Sequence, residues 1–120
     1  MDEPKLTETD LQGVTGGGDR YRHRLGGCYT EGVQLVAERG AAYWLIDAVF
    51  SHQGNPLARR EPFQVWVLSR TTGNEFMLDM NDGNNEKNVL IRQVIPFSDF
   101  PIDRIELYLV DGVLLLPSEY

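Results

Sequence analysis

Apolar and polar residues follow two rhythms in this chain, and the change falls near Pro56. Before it, apolar residues recur three and four apart, as on one face of a helix. In EGVQLVAER, Val33, Val36 and Ala37 share such a face. Thr30 stands at the N-cap position, and Gly40 suits a left-handed C-cap. A helix over residues 30–38 is therefore expected. A second, over 41–53, reads AAYWLIDAVFSHQ; it is apolar nearly all round, which marks a buried helix. Asn55-Pro56 should stop it. A shorter helix is expected at the N-terminus, where Thr7 and Asp10 have capping-box spacing, Leu6 and Leu11 flank the cap, and Gly13 ends the pattern. Gly16-Gly17-Gly18 then reads as a flexible connector.

After Pro56 the grammar is that of strands. FQVWVLSR, NEFMLDM, NVLIRQVI, RIELYLV and GVLLLP are five candidates. Phe76, Leu78 and Met80 alternate with Glu75 and Asp79, as on a sheet with one wet face. Asp111-Gly112 between apolar runs is a two-residue hairpin signal. Short separators favour antiparallel neighbours, since a parallel crossover takes a dozen or more residues. The expectation is an α+β fold: two or three N-terminal helices packed on an antiparallel meander of about five strands. Residues 1–120 form one domain, with residues 1–5 free to be disordered. VLLLPSEY should be a strand rather than a tail, with Pro117 marking its end or an edge position.

Composition narrows the function. The single Cys28 allows no intrachain disulfide, and MDEPKLTETD is too acidic for a secretory leader, so a cytoplasmic protein is expected. No apolar run approaches the ~20 residues that span a bilayer. The net charge is −7, unevenly spread: −4 over residues 1–19, +3 over 20–60 and −6 over 61–120. That balance disfavours nucleic acid, whose phosphates need clustered cations, and favours a basic protein partner. Glu75, Asp79 and Glu106 are the candidate acidic partner face. Arg20, Arg22, Arg24, Arg59 and Arg60 would form a basic patch if folding gathered them, able to grip an anion or nucleic acid. A chain with both patches is also a candidate homo-oligomer.

YRHR, YTEGVQLVAERGAAYWLIDAVFSHQ, FQVWVL and IPFSDFPIDRIELYLVDGVLLLPSEY together resemble an uncharacterised bacterial family of small proteins. It is a domain-of-unknown-function family common in cyanobacteria and on plasmids and phages. The resemblance covers residues 6–120, with Gly16–Gly18 and Gly26-Gly27 as local departures. It implies a cytosolic, single-domain protein carried by a mobile element, and it supplies no catalytic residue.

The residues that invite chemistry have plainer uses. Asp47, Ser51 and His52 cannot easily form a triad, because His52 lies about 140° round the helix from Asp47 and no GxSxG elbow presents the serine. Asp47 is instead expected to be largely buried and paired, with His23 or an arginine of YRHR or with backbone N–H groups, as a structural anchor. Cys28 with His23 or His52 is a candidate thiol pair, activated by the neighbouring arginines. Two His and one Cys are too few for an ordinary zinc site, and DMNDGNNEKN lacks the calcium-loop spacing. No cofactor, metal or catalytic residue is assigned. PFSDFP reads as an aromatic-anchored loop whose rings serve the core or line a site. The functional expectation is a non-enzymatic protein-interaction domain of unknown target, such as a mobile-element inhibitor of a host defence system. The alternatives are a small cytosolic enzyme using Cys28 and a binder acting through the arginine patch.

Overall fold

The structure, a computed structural model, describes residues 5–12 and 18–120. The expected connector at Gly16-Gly17, the helix end at Gly13 and the disorder expected over residues 1–4 lie outside the described residues. In chain order the elements are α1 (Glu8–Gln12), β1 (Arg20–Arg22), β2 (Cys28–Thr30), α2 (Glu31–Arg39) and α3 (Tyr43–Ser51). A 3-10 turn (His52–Gly54) and α4 (Pro56–Arg59) follow. The strands β3 (Phe63–Thr72), β4 (Glu75–Asn81), β5 (Ile91–Ile95), β6 (Arg104–Val110) and β7 (Val113–Leu115) come next, then a closing 3-10 turn (Pro117–Glu119).

The helix signals mostly hold locally. Thr7 and Asp10 make the reciprocal capping box: Thr7 N–H donates to Asp10 Oδ2 at 3.0 Å, and Asp10 N–H donates to Thr7 Oγ1 at 3.3 Å. Thr30 Oγ1 caps α2 by accepting from Val33 N–H. Gly40 departs from expectation. Its φ is −89°, and Ala41 takes the left-handed position at φ 52°. Glycine is needed at 40 for space instead, since a Cβ there would stand 2.6 Å from both the Phe100 ring and Val36 O. Pro56 likewise does not only stop a helix. It opens α4, with the Asn55 side chain accepting from Leu57 N–H at 2.9 Å. Proline suits that first position because the N–H it lacks has no intrahelical partner there.

The sheet has seven strands in the order β1-β2-β7-β6-β3-β4-β5 and is mixed, because β2 and β7 run parallel. This corrects the expected five-strand antiparallel meander in two places. First, YRHRLGGCYT folds into the β1–β2 hairpin, with Gly26 (φ 102°) and Gly27 (φ 78°) at its turn. Three-residue strands rich in Arg and Tyr carry no apolar run to signal them. Second, β6 does not neighbour β5. Residues 96–103 leave the β5 edge and return to the far side of β3, so β3 is flanked by β4 and β6.

Arg70 holds that return. Its guanidinium donates to Asp103 Oδ1 at 2.9 Å and to Phe100 O at 2.9 Å, while Ser98 N–H donates to Asn74 O at 2.8 Å. Phe100 is buried edge-on against Phe76, so one ring of PFSDFP serves the core, whereas Phe97 is 70% exposed. At Asp111-Gly112, φ of 49° and 81° gives the hairpin turn expected of that dipeptide.

The main core lies on the helix-covered face of the sheet, while Val65, Leu115 and the rings of Phe63, Tyr108 and Tyr120 form a smaller cluster on the other face. Val33, Val36 and Ala37 of α2 and Leu45, Ile46, Val49 and Phe50 of α3 meet Trp66, Leu68, Phe76, Leu78, Met80, Leu107 and Leu114. Leu114, Leu115 and Leu116 are buried, and Pro117 ends the strand, as the C-terminal pattern implies. However, β7 lies inside the sheet rather than at its rim.

Candidate functional site

Asp47 sits on the exposed flank of α3 and binds two side chains from the β1–β2 turn. Its Oδ1 lies 2.7 Å from His23 Nε2 and 3.3 Å from Arg24 Nη1. Leu25 N–H donates to His23 Nδ1 at 3.1 Å. An amide can only donate, so Nδ1 carries the lone pair and Nε2 the proton given to Asp47. The His23 ring is buried and stacks on Phe50 at 4.6 Å. The hydrogen bond from His23 holds the Asp47 carboxyl below the ordinary aspartate range; partial burial opposes this and Arg24 adds to it. The expected burial of Asp47 is thereby corrected: its side chain is 44% exposed, and the imidazole is the buried partner. The physical reason is that a neutral ring loses little on leaving water, whereas a carboxylate loses much.

These contacts engage the polar side chains that could carry chemistry. Both His23 nitrogens are engaged. Ser51 Oγ donates to Ala48 O at 2.7 Å. His52 Nε2 meets Gln93 Oε1 at 2.7 Å, and its ring stacks on Trp66 at 5.5 Å. Cys28 is in register with Arg22 and Val113, on the opposite sheet face from Tyr29 and Leu114 and hence from the ring of His23. The geometry therefore does not bring Cys28 together with either histidine as a thiol pair. Among the described residues no group of three or more His, Cys, Asp or Glu gathers as a metal site would require.

The same hairpin turn forms one wall of a cleft of about 520 Å³ at the end of the sheet. Leu25–Gly27, Phe50 at the end of α3, Gln53 in the 3-10 turn, residues 58–62, and the Asp111-Gly112 turn surround it. Gly27 is required where the two turns touch: a Cβ there would lie 2.6 Å from Gly112 O and 2.7 Å from the Phe50 ring. Leu25 is 56% exposed beside Arg59, Arg60, Glu61 and Asp111. The floor holds a polar network that sequence reasoning missed. Gln53 and Gln64 exchange amide bonds at 3.0 and 2.9 Å, Gln64 also donates to Ala58 O and Glu61 O, and Trp66 Nε1–H donates to Gln64 Oε1. The available signal was Gln64 itself, a polar residue in phase with Trp66 and Leu68 on the inward face of β3.

The predicted charged sites are distributed differently. Glu75, Asp79 and Glu106 share the sheet face turned away from the helices, where Asp79 and Glu106 flank Val67 in register. Two of them are neutralised there: Arg92 binds Asp79 at 2.8 and 3.1 Å, and Arg104 binds Glu106 at 2.9 Å. Of the five arginines, Arg59 and Arg60 line the cleft, Arg24 binds Asp47, and Arg20 and Arg22 stand on the outward face of β1. The cleft thus takes two of them rather than all five.

Helices on one face of a mixed, mainly antiparallel sheet define an α+β protein. Residues 5–120 match a family of unknown function, DUF6876, and the chain belongs to that family. Among solved structures it is similar to a protein of unknown function from Enterococcus faecalis, at 20% identity and a TM-score of 0.50, over 89% of this chain and 96% of that one. That likeness supports the fold alone. None of the curated proteins matches the sequence. Among the described residues no helix is long and apolar enough to cross a membrane.

Proposed function

We propose that the chain is a non-enzymatic protein-interaction domain that receives a segment of a partner protein in the cleft beside Leu25. The observation that carries the reading is the cleft's make-up: the exposed Leu25 with Phe50 and Leu109, lined also by Arg59, Arg60, Glu61 and Asp111 over the Gln53–Gln64 pair. Apolar side chains mixed with hydrogen-bonding and charged groups are the make-up of a protein interface. The engagement of His23, His52 and Ser51 in packing supports binding over catalysis. The pairing of Asp79 and Glu106 with arginines moves the expected contact from the acidic face to the cleft. Inhibition of a host defence system from a mobile element is the finer form of the proposal, and it rests on the sequence resemblance.

The test is affinity capture from host lysate, with and without nuclease. Wild type is compared with Leu25→Asp, Arg60→Glu and Cys28→Ser. The expected result is one protein retained by wild type and Cys28→Ser, lost with Leu25→Asp, and insensitive to nuclease. Retention that nuclease abolishes, or binding of bare nucleic acid by wild type that Arg60→Glu removes, would overturn it and support the arginine reading. A turnover lost with Cys28→Ser would support the enzyme.

A further inference from the structure

We propose that the outer edge of β5 is an interface for a second copy of this chain, joined by antiparallel strand addition about Gln93. The inference is independent of the cleft. Strand β5 ends the sheet, so every second backbone N–H and C=O along it points outward. The opposite edge, β1, is three residues long and carries exposed Arg20 and Arg22, which are ordinary guards against strand addition. β5 lacks such guards. It is five residues long, and its single charge, Arg92, is already bound by both oxygens of Asp79. Beside that pair Val94 is 50% exposed, and Phe97 just beyond the strand is 70% exposed.

A second copy fits because the strand is self-complementary about its central residue. With Gln93 on a two-fold axis, Ile91 faces Ile95 of the second copy, and both lie on the helix-covered side. Arg92 faces Val94 of the second copy on the other side, so no two like charges stand opposite each other. Gln93 would meet its own copy. Its Oε1 accepts from His52 and keeps a second lone pair, and among the described residues its amide NH2 has no hydrogen-bond partner, so the two amides can donate to each other's Oε1 across the axis. Strand addition supplies affinity through the backbone, and the two-fold repeats each side-chain contact.

The experiment is sedimentation equilibrium of the full chain from about 1 to about 100 μM, a range that brackets micromolar association. Wild type is expected to dimerise. Val94→Lys sets an ammonium opposite Arg92 of the second copy, twice per dimer, and should weaken the dimer about tenfold or more. Val94→Glu, equally polar at the same half-exposed site, sets a carboxylate there and should retain the dimer. Amide exchange over residues 91–95 should slow as wild-type concentration rises. A wild-type monomer throughout, or equal loss with Lys and Glu, would overturn the proposal. So would a dimer that Val94→Lys leaves unchanged.

Discussion

The two halves of the sheet are held in different ways. On one side β3, β4, β5 and β6 form long antiparallel ladders whose inward residues make the core. On the other, the short β1–β2 hairpin reaches the body through β7, with which β2 makes a parallel pair of two residues. The first half is carried by burial. The second depends on particular points: Gly27 against Gly112, His23 on Phe50, and Asp47 on His23. Both candidate surfaces follow from this difference. The cleft opens where the point-held hairpin leans on the body, and the unguarded edge belongs to the half that burial holds.

Removal of residues 113–120 tests the dependence most severely. It deletes the strand between β2 and β6 and three buried leucines, each contributing about 2 kcal/mol. It also removes Glu119, whose carboxylate accepts from Thr30 Oγ1 at 2.6 Å and from Leu116 N–H at 2.9 Å. Domain stability is about 5–15 kcal/mol in all, so the truncated chain should show no cooperative melt by circular dichroism. An unchanged melt would break the assignment of β7 as the link.

Gly27→Val should be next. It forces a branched side chain into a left-handed backbone at φ 78° and against Gly112 O, with a loss of about 2–4 kcal/mol and a Tm lower by roughly 10 °C. Gly26→Ala, at φ 102° with open space around it, should bear only the backbone strain of about 1 kcal/mol. Equal losses at the two glycines would show that the turn-to-turn contact is not what holds the hairpin.

Asp47→Ala leaves the buried His23 Nε2–H without its acceptor and should reduce stability by about 1–2 kcal/mol in urea unfolding. The pH dependence has a definite sign. The folded carboxyl titrates below its unfolded value, so its contribution is complete above the ordinary aspartate range and is lost as pH falls through the folded pKa. The difference in Tm between wild type and Asp47→Asn should therefore shrink on acidification. Growth of that difference at low pH would contradict the pairing.

The smallest effects concern the edges themselves. Arg92→Ala removes a solvent-facing ion pair and should change stability by less than about 1 kcal/mol. Arg20→Thr with Arg22→Thr should leave the Tm nearly unchanged, within about 0.5 kcal/mol, while raising concentration-dependent association in light scattering. If scattering stays flat, those arginines are not guards and the contrast between the two edges fails.

The elements that were legible in the sequence are those whose signal is local. Thr7-x-x-Asp10, Thr30 with the spacing of Val33 and Val36, the alternation through Phe76, Leu78 and Met80, and Asp111-Gly112 all specify bonds within a few residues, and all formed. The pairing of Asp47 with His23 was accessible because a charge on an apolar helix calls for a partner, and YRHR offered His and Arg side chains, although Arg39 and Arg59-Arg60 lie nearer in sequence. What failed was long-range. Nothing in PFSDFP says that the chain recrosses to β3; that is settled by Phe100 finding Phe76 and by Arg70 binding Asp103.

Local backbone preference and periodicity alone thus determined α1, α2 and α3, though not α4, together with the strands from Phe63 onward, the hairpin at Asp111 and the α+β class. Tertiary structure decided the strand order, the parallel β2–β7 pair, the exposure of Asp47 and the cleft. The reason is energetic. A cap, a turn or an alternating face is stabilised by neighbours in sequence, whereas strand partners and clefts depend on which apolar surfaces are left to cover once those units exist.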